Sequence, residues 1–180
     1  RCRRRTRPVR PDAGLARVDG ETVGADNIAA RARIGVLPHN AGLYPALSAR
    51  ENIEYFGRLH GIDAATLRNR TDALIAALEM ADIAARKTEG FSQGQRVKTA
   101  IARALVHDPK NLILDEPTNG LDVMATRAMR RFLKQQRDEG RCVLASSHVL
   151  DEVERFGSRV LVIARGRLVA EGDFHAIRAL

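Results

Sequence analysis

Asp115 and Glu116 stand side by side at the end of the apolar run "NLIL", followed by Pro117, Gly120 and a third carboxylate, Asp122. Adjacent carboxylates repel each other and resist desolvation unless a cation sits beside them. An apolar strand that delivers both to the carboxyl edge of a sheet places them where α/β folds bind ligands. A Mg²⁺ ion, held directly or through water, would resolve the conflict. Asp115 would then orient the ion, and Glu116 would polarise water for attack on a γ-phosphate. Taken alone, "LILDEP" also suits two acids that cap the next helix or pair with surface arginines. "FSQGQ", from Phe91 to Gln95, adds a second element. A serine hydroxyl, a glycine that permits close approach and free N–H groups at a helix start together make an anion site. Further on, "LASSHVLDE" ends a strand in polar residues and presents His148 at the same sheet edge.

The hydrophobic pattern supplies a scaffold for these residues. Arg33 to Leu37 reads as a short buried strand ended by Pro38. Ser48, with Glu51 three residues on, is a capping-box start for a helix, and Leu67 to Met80 continues helically. Ser92 to His107 carries Val97, Ala100, Ile101, Ala104 and Leu105 on one face at helical spacing. "NLIL" is the next strand. Asp122 to about Gly140 is a helix that turns Ala125, Ala128, Met129, Phe132 and Leu133 inward. "CVLAS" is a strand, Val149 to Arg155 a short helix, and "RVLVIARGRLVAEG" a strand pair turning at Arg165 and Gly166. Short apolar strands alternating with helices predict an α/β fold with a mainly parallel sheet covered on both faces. The stretch 38–91 reads as helical without strands, which predicts a helical subdomain over about 40–108.

With 180 residues, 44% apolar and 29% charged, the chain has the composition of one globular domain with a substantial core. No apolar run approaches bilayer-spanning length, and no apolar signal-peptide core follows the arginine-rich start. Cys2 and Cys142 make neither a metal spacing nor a disulfide framework, which suits a reducing cytoplasm. Of the net charge of +8, most comes from the arginines of "RCRRRTRPVR", and the remainder is nearly balanced. A basic tail can bind nucleic acid or anionic lipid. The rest of the chain has no basic stripe and few aromatics to stack bases, so no nucleic-acid partner is expected.

The ordered series FSQGQ, LILDEP, NGLD and SSH resembles the ATP-binding subunit of ABC transporters, a P-loop NTPase-like α/β fold with a helical subdomain. The resemblance covers nearly everything from Pro11 onward. It implies that Ser92, Gly94 and Gln95 belong to the signature motif, which meets the γ-phosphate of ATP held by the opposite subunit. It implies that Asp115 is the Walker B aspartate at Mg²⁺ and Glu116 the catalytic glutamate. By the same resemblance Asp122 belongs to the D-loop that crosses the dimer interface, and His148 is the switch histidine that contacts the γ-phosphate. "GVLPHNAGLYPALSARENI" and "FSQGQRVKTAIARALVHDPKNLILDEPTNGLDV" look most like sodium-efflux (NatA-type) subunits of bacterial exporters. The implied cofactors are ATP and Mg²⁺. The implied partners are transmembrane permease subunits and a second ABC ATPase subunit, in a homodimer on the cytoplasmic face of the cell membrane. The segment His39 to Arg58 is expected to receive a helix of the membrane subunit, with Tyr44 and Tyr55 as anchors. The alternative is a soluble ABC-type ATPase acting on nucleic acid or ribosomes. Such relatives carry a long coiled coil or a second domain, and neither is visible here.

Three departures from the family pattern stand out. Phe91 and Gln93 replace Leu and Gly of the signature, while Ser92 and Gly94 remain. His39 occupies the position of the Q-loop glutamine. The phosphate cradle G-x-x-x-x-G-K-[ST] does not occur, since none of Lys87, Lys98, Lys110 and Lys134 follows a glycine. Its place before "RPDAG" holds "RCRRRTRPV". Residues 1–9 are therefore expected to be junction sequence on an N-terminally incomplete ABC domain, 10–180. That domain would lack its first strands and P-loop and be catalytically incompetent alone.

Overall fold

Asp19 and Gly20 take left-handed backbone angles (φ 50° and 80°), and this two-residue turn joins β1 (Arg17–Val18) to β2 (Glu21–Thr22) as an antiparallel hairpin. The structure, a computed structural model, describes residues 13–24, 26–149, 153–155 and 157–178. The stretch 1–9 and part of the short helix expected over Val149 to Arg155 lie outside them. After the hairpin comes α1 (Ile28–Ala32), capped by the Asn27 side chain, which accepts from the Ala30 N–H. The sequence pattern predicts neither element, because both are too short to show a repeated hydrophobic period.

The central sheet is parallel throughout. β3 (Ile34–Leu37) pairs with β4 (Asn111–Asp115), which pairs in turn with β5 (Cys142–Ser146). Between β3 and β4 run α2 (Ala49–Leu59), α3 (Ala64–Ala77) and α4 (Gln93–Leu105). The capping box at Ser48 forms as its spacing predicts: Ser48 Oγ accepts from the Glu51 N–H, and the Glu51 carboxylate accepts from the Ser48 N–H. All five residues of the predicted apolar face of α4 are buried. α5 (Val123–Asp138) links β4 to β5 and buries Met129, Phe132 and Leu133, whereas Ala125 and Ala128 are only half-buried. Beyond it, β6 (Val160–Ala164) and β7 (Arg167–Gly172) make a hairpin through Arg165 and Gly166, both at positive φ, and α6 (Phe174–Arg178) follows.

Register determines which residues enter the core. Leu37, Leu112 and Leu114 share one face of the sheet and are buried with the apolar sides of α4 and α5. Gly35 lies on that face, and a Cβ there would fall 2.8 Å from the Leu112 side chain and against the Ala104 carbonyl, so α4 sits directly on the strand. The other face departs from expectation. Val36, Ile113 and Leu144 form a single cross-strand row there and are 48%, 37% and 55% exposed. The sheet is therefore covered on one face among the described residues, not on both. All-apolar strands report that two faces can be buried, but the cover must come from another element.

Just beyond α4, His107 stacks on His60 with ring centroids 3.8 Å apart. His107 Nε2 donates to the Ile34 carbonyl at 3.2 Å, and its Nδ1 is buried without a hydrogen-bond partner. A second proton on this ring would have nothing to donate to. Burial, followed by the neighbouring His60, pulls the His107 pKa from its ordinary 6.5 down to about 4. The unfolded chain thus takes up this proton at higher pH than the folded chain does. The contribution to stability is complete above pH 6.5 and is lost as pH falls towards 4. Allowing for partial solvent screening, it amounts to on the order of 1–2 kcal/mol. Thermal midpoints at neutral and mildly acidic pH should fall accordingly, and His107→Phe should remove most of that slope. An unchanged midpoint across the window would contradict the assignment.

Candidate functional site

β4 ends on Asp115, and the parallel register sets Asp115 opposite Ser146 at the end of β5. Ser146 Oγ donates to Asp115 Oδ1 at 2.7 Å and accepts the Glu116 N–H at 3.0 Å. One hydroxyl therefore fixes both members of the acidic pair. Glu116 leaves the strand with φ of 52°, a left-handed conformation that a residue with a side chain adopts only at a cost of roughly 1 kcal/mol or more. Strain of this kind gathers where the chain must aim a functional group. The turn is closed by the Asn119 N–H on the Glu116 carbonyl at 3.1 Å.

His148 meets the pair from β5's side, as its place in the sequence predicts. Its Nδ1 lies 2.9 Å from Glu116 Oε1. The glutamate side chain is only 19% exposed and the imidazole 70% exposed, so the ring stands over a recessed carboxylate. A carboxylate paired to an imidazole has one fixed orientation and keeps its second oxygen for other work. Asp122 caps α5 by accepting the Ala125 N–H at 2.8 Å.

A small open cleft of about 50 Å³ lies beside the acids, lined by Asp115, Glu116, Asn119, His39, Gln93 and neighbouring apolar groups. It is large enough for a hydrated contact or an ion. The structure thus brings His39 together with Asp115 and Glu116 at one cleft. Ser92, Gly94 and Gln95 do not line this cleft. Ser92 caps α4, and Ser92 and Gln95 exchange side-chain and backbone hydrogen bonds at 3.3 and 3.0 Å. Gly94 lies alongside Leu121, and Gly120 (φ 72°) lies against the Gln93 side chain, so the start of α4 packs on the turn that follows Glu116.

The oxygen donors at the cleft are hard ligands of the type Mg²⁺ takes, usually through one or two carboxylates completed by water and phosphate. The described residues contain no group of three or more His, Cys, Asp or Glu side chains placed to hold a metal by themselves. The protein's own share of such an ion's ligands is small, and Asp115 fits it. The sequence alone singles out neither Ser146 nor Asn119, and it marks Gln93 only as a departure within the signature rather than as part of the cleft. Ser146 was findable, since "LASSH" puts a serine opposite Asp115 once the two strands are taken as parallel.

The geometry can be set beside known proteins. A family model described as "ABC transporter" matches residues 5–119. The chain is 37% identical over 170 residues to the ABC transporter ATP-binding protein NatA of Bacillus subtilis, covering 94% of this chain and 69% of that protein. It is 35% identical to the Nod factor export ATP-binding protein I of Ralstonia nicotianae, covering 93% of this chain and 52% of the relative. Among solved structures, the ATP-binding cassette MJ0796, in a dimeric post-hydrolysis state bound to ADP and Pi, superposes with a TM-score of 0.83 at 25% identity. That match covers 92% of this chain and 75% of the other. No helix among the described residues is long and apolar enough to cross a membrane. On the family model over residues 5–119, the 37% identity to NatA and the superposition on MJ0796, the chain belongs to the ABC transporter family, as an ATP-binding cassette of the ABC-type ATPase class.

Proposed function

We propose that the chain is the ATP-binding and ATP-hydrolysing part of a membrane exporter, working as a homodimer against transmembrane permease subunits on the cytoplasmic face of the membrane. The observation that carries this reading is the hydrogen-bonded unit of Asp115, Ser146, Glu116 and His148 at the carboxyl edge of the sheet. Bound Mg-ATP would supply the electrophilic phosphoryl group with its charge partly neutralised. Asp115, held by Ser146, is the residue for the cation. Glu116 polarises the attacking water, and His148 holds its carboxylate in register and faces the γ-phosphate. His39 offers an imidazole to metal-bound water or to the membrane subunit. Across the dimer, Ser92, Gly94 and Gln95 present the start of α4 to the partner's nucleotide, and Asp122 carries the turn that crosses between subunits. The dimeric, ADP- and Pi-bound state of the MJ0796 neighbour supports that arrangement.

Sodium is the proposed cargo, resting on the resemblance of the segment around His39 and the signature helix to sodium-efflux subunits. The helical subdomain is proposed over about 40–108 and the incomplete cassette over 10–180. The chain contains no G-x-x-x-x-G-K loop, and we propose that it hydrolyses ATP only when such a cradle is supplied.

Docking of the permease is assigned to the segment His39 to Arg58. Tyr44 and Tyr55 lie there edge to face with ring centroids 5.4 Å apart, both partly exposed. The Tyr44 backbone is fixed by Asn52, which accepts its N–H at 2.9 Å, and by Thr88, which donates to its carbonyl at 2.9 Å. A rigid, half-exposed aromatic pair suits an interface anchor. In the full-length protein, Tyr44→Asp is expected to abolish pull-down of the membrane subunit and to stop transport. Normal pull-down with this variant would refute the docking assignment.

A further inference from the structure

Arg103 is the most unusual charge in the described chain. It sits on α4, the helix that begins at the signature residues, and is 8% exposed. No ion pair to it is found among the described residues. Its guanidinium donates through Nη1 to the Gly42 carbonyl at 3.0 Å and through Nη2 to the Ala41 carbonyl at 2.6 Å. Its Cζ lies 4.5 Å from the centroid of the Phe56 ring. Burial lowers its pKa from the ordinary arginine value.

A buried cation without a counter-ion is costly, and an apolar side chain would fill the same space more cheaply. Two carbonyl dipoles and an aromatic face make the charge tolerable and also fix its position. A planar fork sets two carbonyls at once, which the single ammonium of a lysine cannot reproduce. The carbonyls belong to the loop that follows His39, and Gly42 in that loop has φ of 57°. Phe56 in turn packs on Tyr55 at 5.7 Å and on Tyr44 at 6.4 Å between centroids. One side chain therefore joins the signature helix, the loop carrying His39 to the carboxylate cleft, and the aromatic face assigned to the permease.

We propose that Arg103 is a positioning residue that clamps the His39 loop and the Tyr44–Tyr55 face to the signature helix, so that a load on the aromatic face reaches the nucleotide face as one rigid movement. The coupling role rests on the proposed function of those two faces. The clamp itself can be tested without nucleotide or permease.

The chain contains no tryptophan, and Tyr44 and Tyr55 are its two tyrosines, so the tyrosine near-ultraviolet dichroism reports this patch. The test uses the 180-residue chain with Arg103→Lys and Arg103→Met, followed by that dichroism and by amide hydrogen exchange. In Arg103→Lys, exchange over residues 39–45 should rise by about tenfold or more relative to α3 and β4, and the tyrosine signal should collapse. Far-ultraviolet dichroism should stay unchanged. If Arg103→Met fails to fold, Arg103→Lys still decides the matter because it keeps the charge and most of the volume. A uniform rise in exchange across the chain would mean that Arg103 only contributes stability, and the proposal would be wrong. Unchanged exchange in the loop with a retained tyrosine signal would also overturn it. Native exchange behaviour in the permease-bound full-length Arg103→Lys protein, with ATP turnover still stimulated by the permease, would refute the coupling while leaving the reading of the site intact.

Discussion

Isothermal titration of the 180-residue chain with ATP is expected to give no magnesium-dependent binding in the micromolar range. The cleft presents two carboxylates, Asp115 and Glu116, which accept and repel rather than bind a polyphosphate. Phosphates are normally held by consecutive backbone N–H groups and a lysine that reaches their oxygens. No lysine of this chain follows a glycine, so the G-x-x-x-x-G-K cradle does not occur in its sequence. Asp115 alone cannot hold Mg²⁺ tightly, because the metal takes much of its coordination from the nucleotide. Supplying a G-x-x-x-x-G-K loop with its preceding strand as a graft ahead of Leu15 should restore micromolar binding. Adding Asp115→Asn to that graft should weaken it again by removing negative charge beside the cation. Tight Mg-ATP binding by the chain without the graft would overturn this account of the cleft.

In the grafted protein, Glu116→Gln is expected to bind ATP and dimerise but to release phosphate roughly a hundred- to a thousandfold more slowly. The amide keeps the shape of the side chain and can still meet His148 Nδ1 across the 2.9 Å contact. It loses the basicity that polarises water. The Ser146 hydroxyl touches the backbone of Glu116 and the side chain of Asp115, so the substitution leaves both of those bonds in place. Phosphate release, with gel filtration in the presence of ATP, separates the two outcomes. Near-normal turnover would mean that the acidic pair serves structure.

Much of the site was legible because its cues are local. Ser48 with Glu51 announces a helix through a capping box closed within four residues, and the Arg165–Gly166 turn needs only its two positive-φ residues. The strand before Asp115 and the one before Ser146 declare themselves as short apolar runs, and their shared edge puts His148 beside Glu116. The Ser146 bridge depends on strand register, which becomes visible only once the two runs are paired. Arg103 reaches carbonyls 61 and 62 residues away in the chain, and no periodicity encodes such a contact. The exposed row of Val36, Ile113 and Leu144 shows the converse limit. Apolar strand residues report a capacity for burial, while the covering element is a separate fact of tertiary structure.

The central claim is that Glu116 and His148 act as one unit at the edge of the sheet. A double-mutant cycle in phosphate release tests it most directly, using Glu116→Gln, His148→Ala and the double variant of the grafted protein. Residues that act as a unit are strongly non-additive. The double variant is therefore predicted to be no more than about threefold slower than the slower single variant. Losses that multiply across the two sites would show that the residues work independently, and the 2.9 Å contact would then have no part in catalysis.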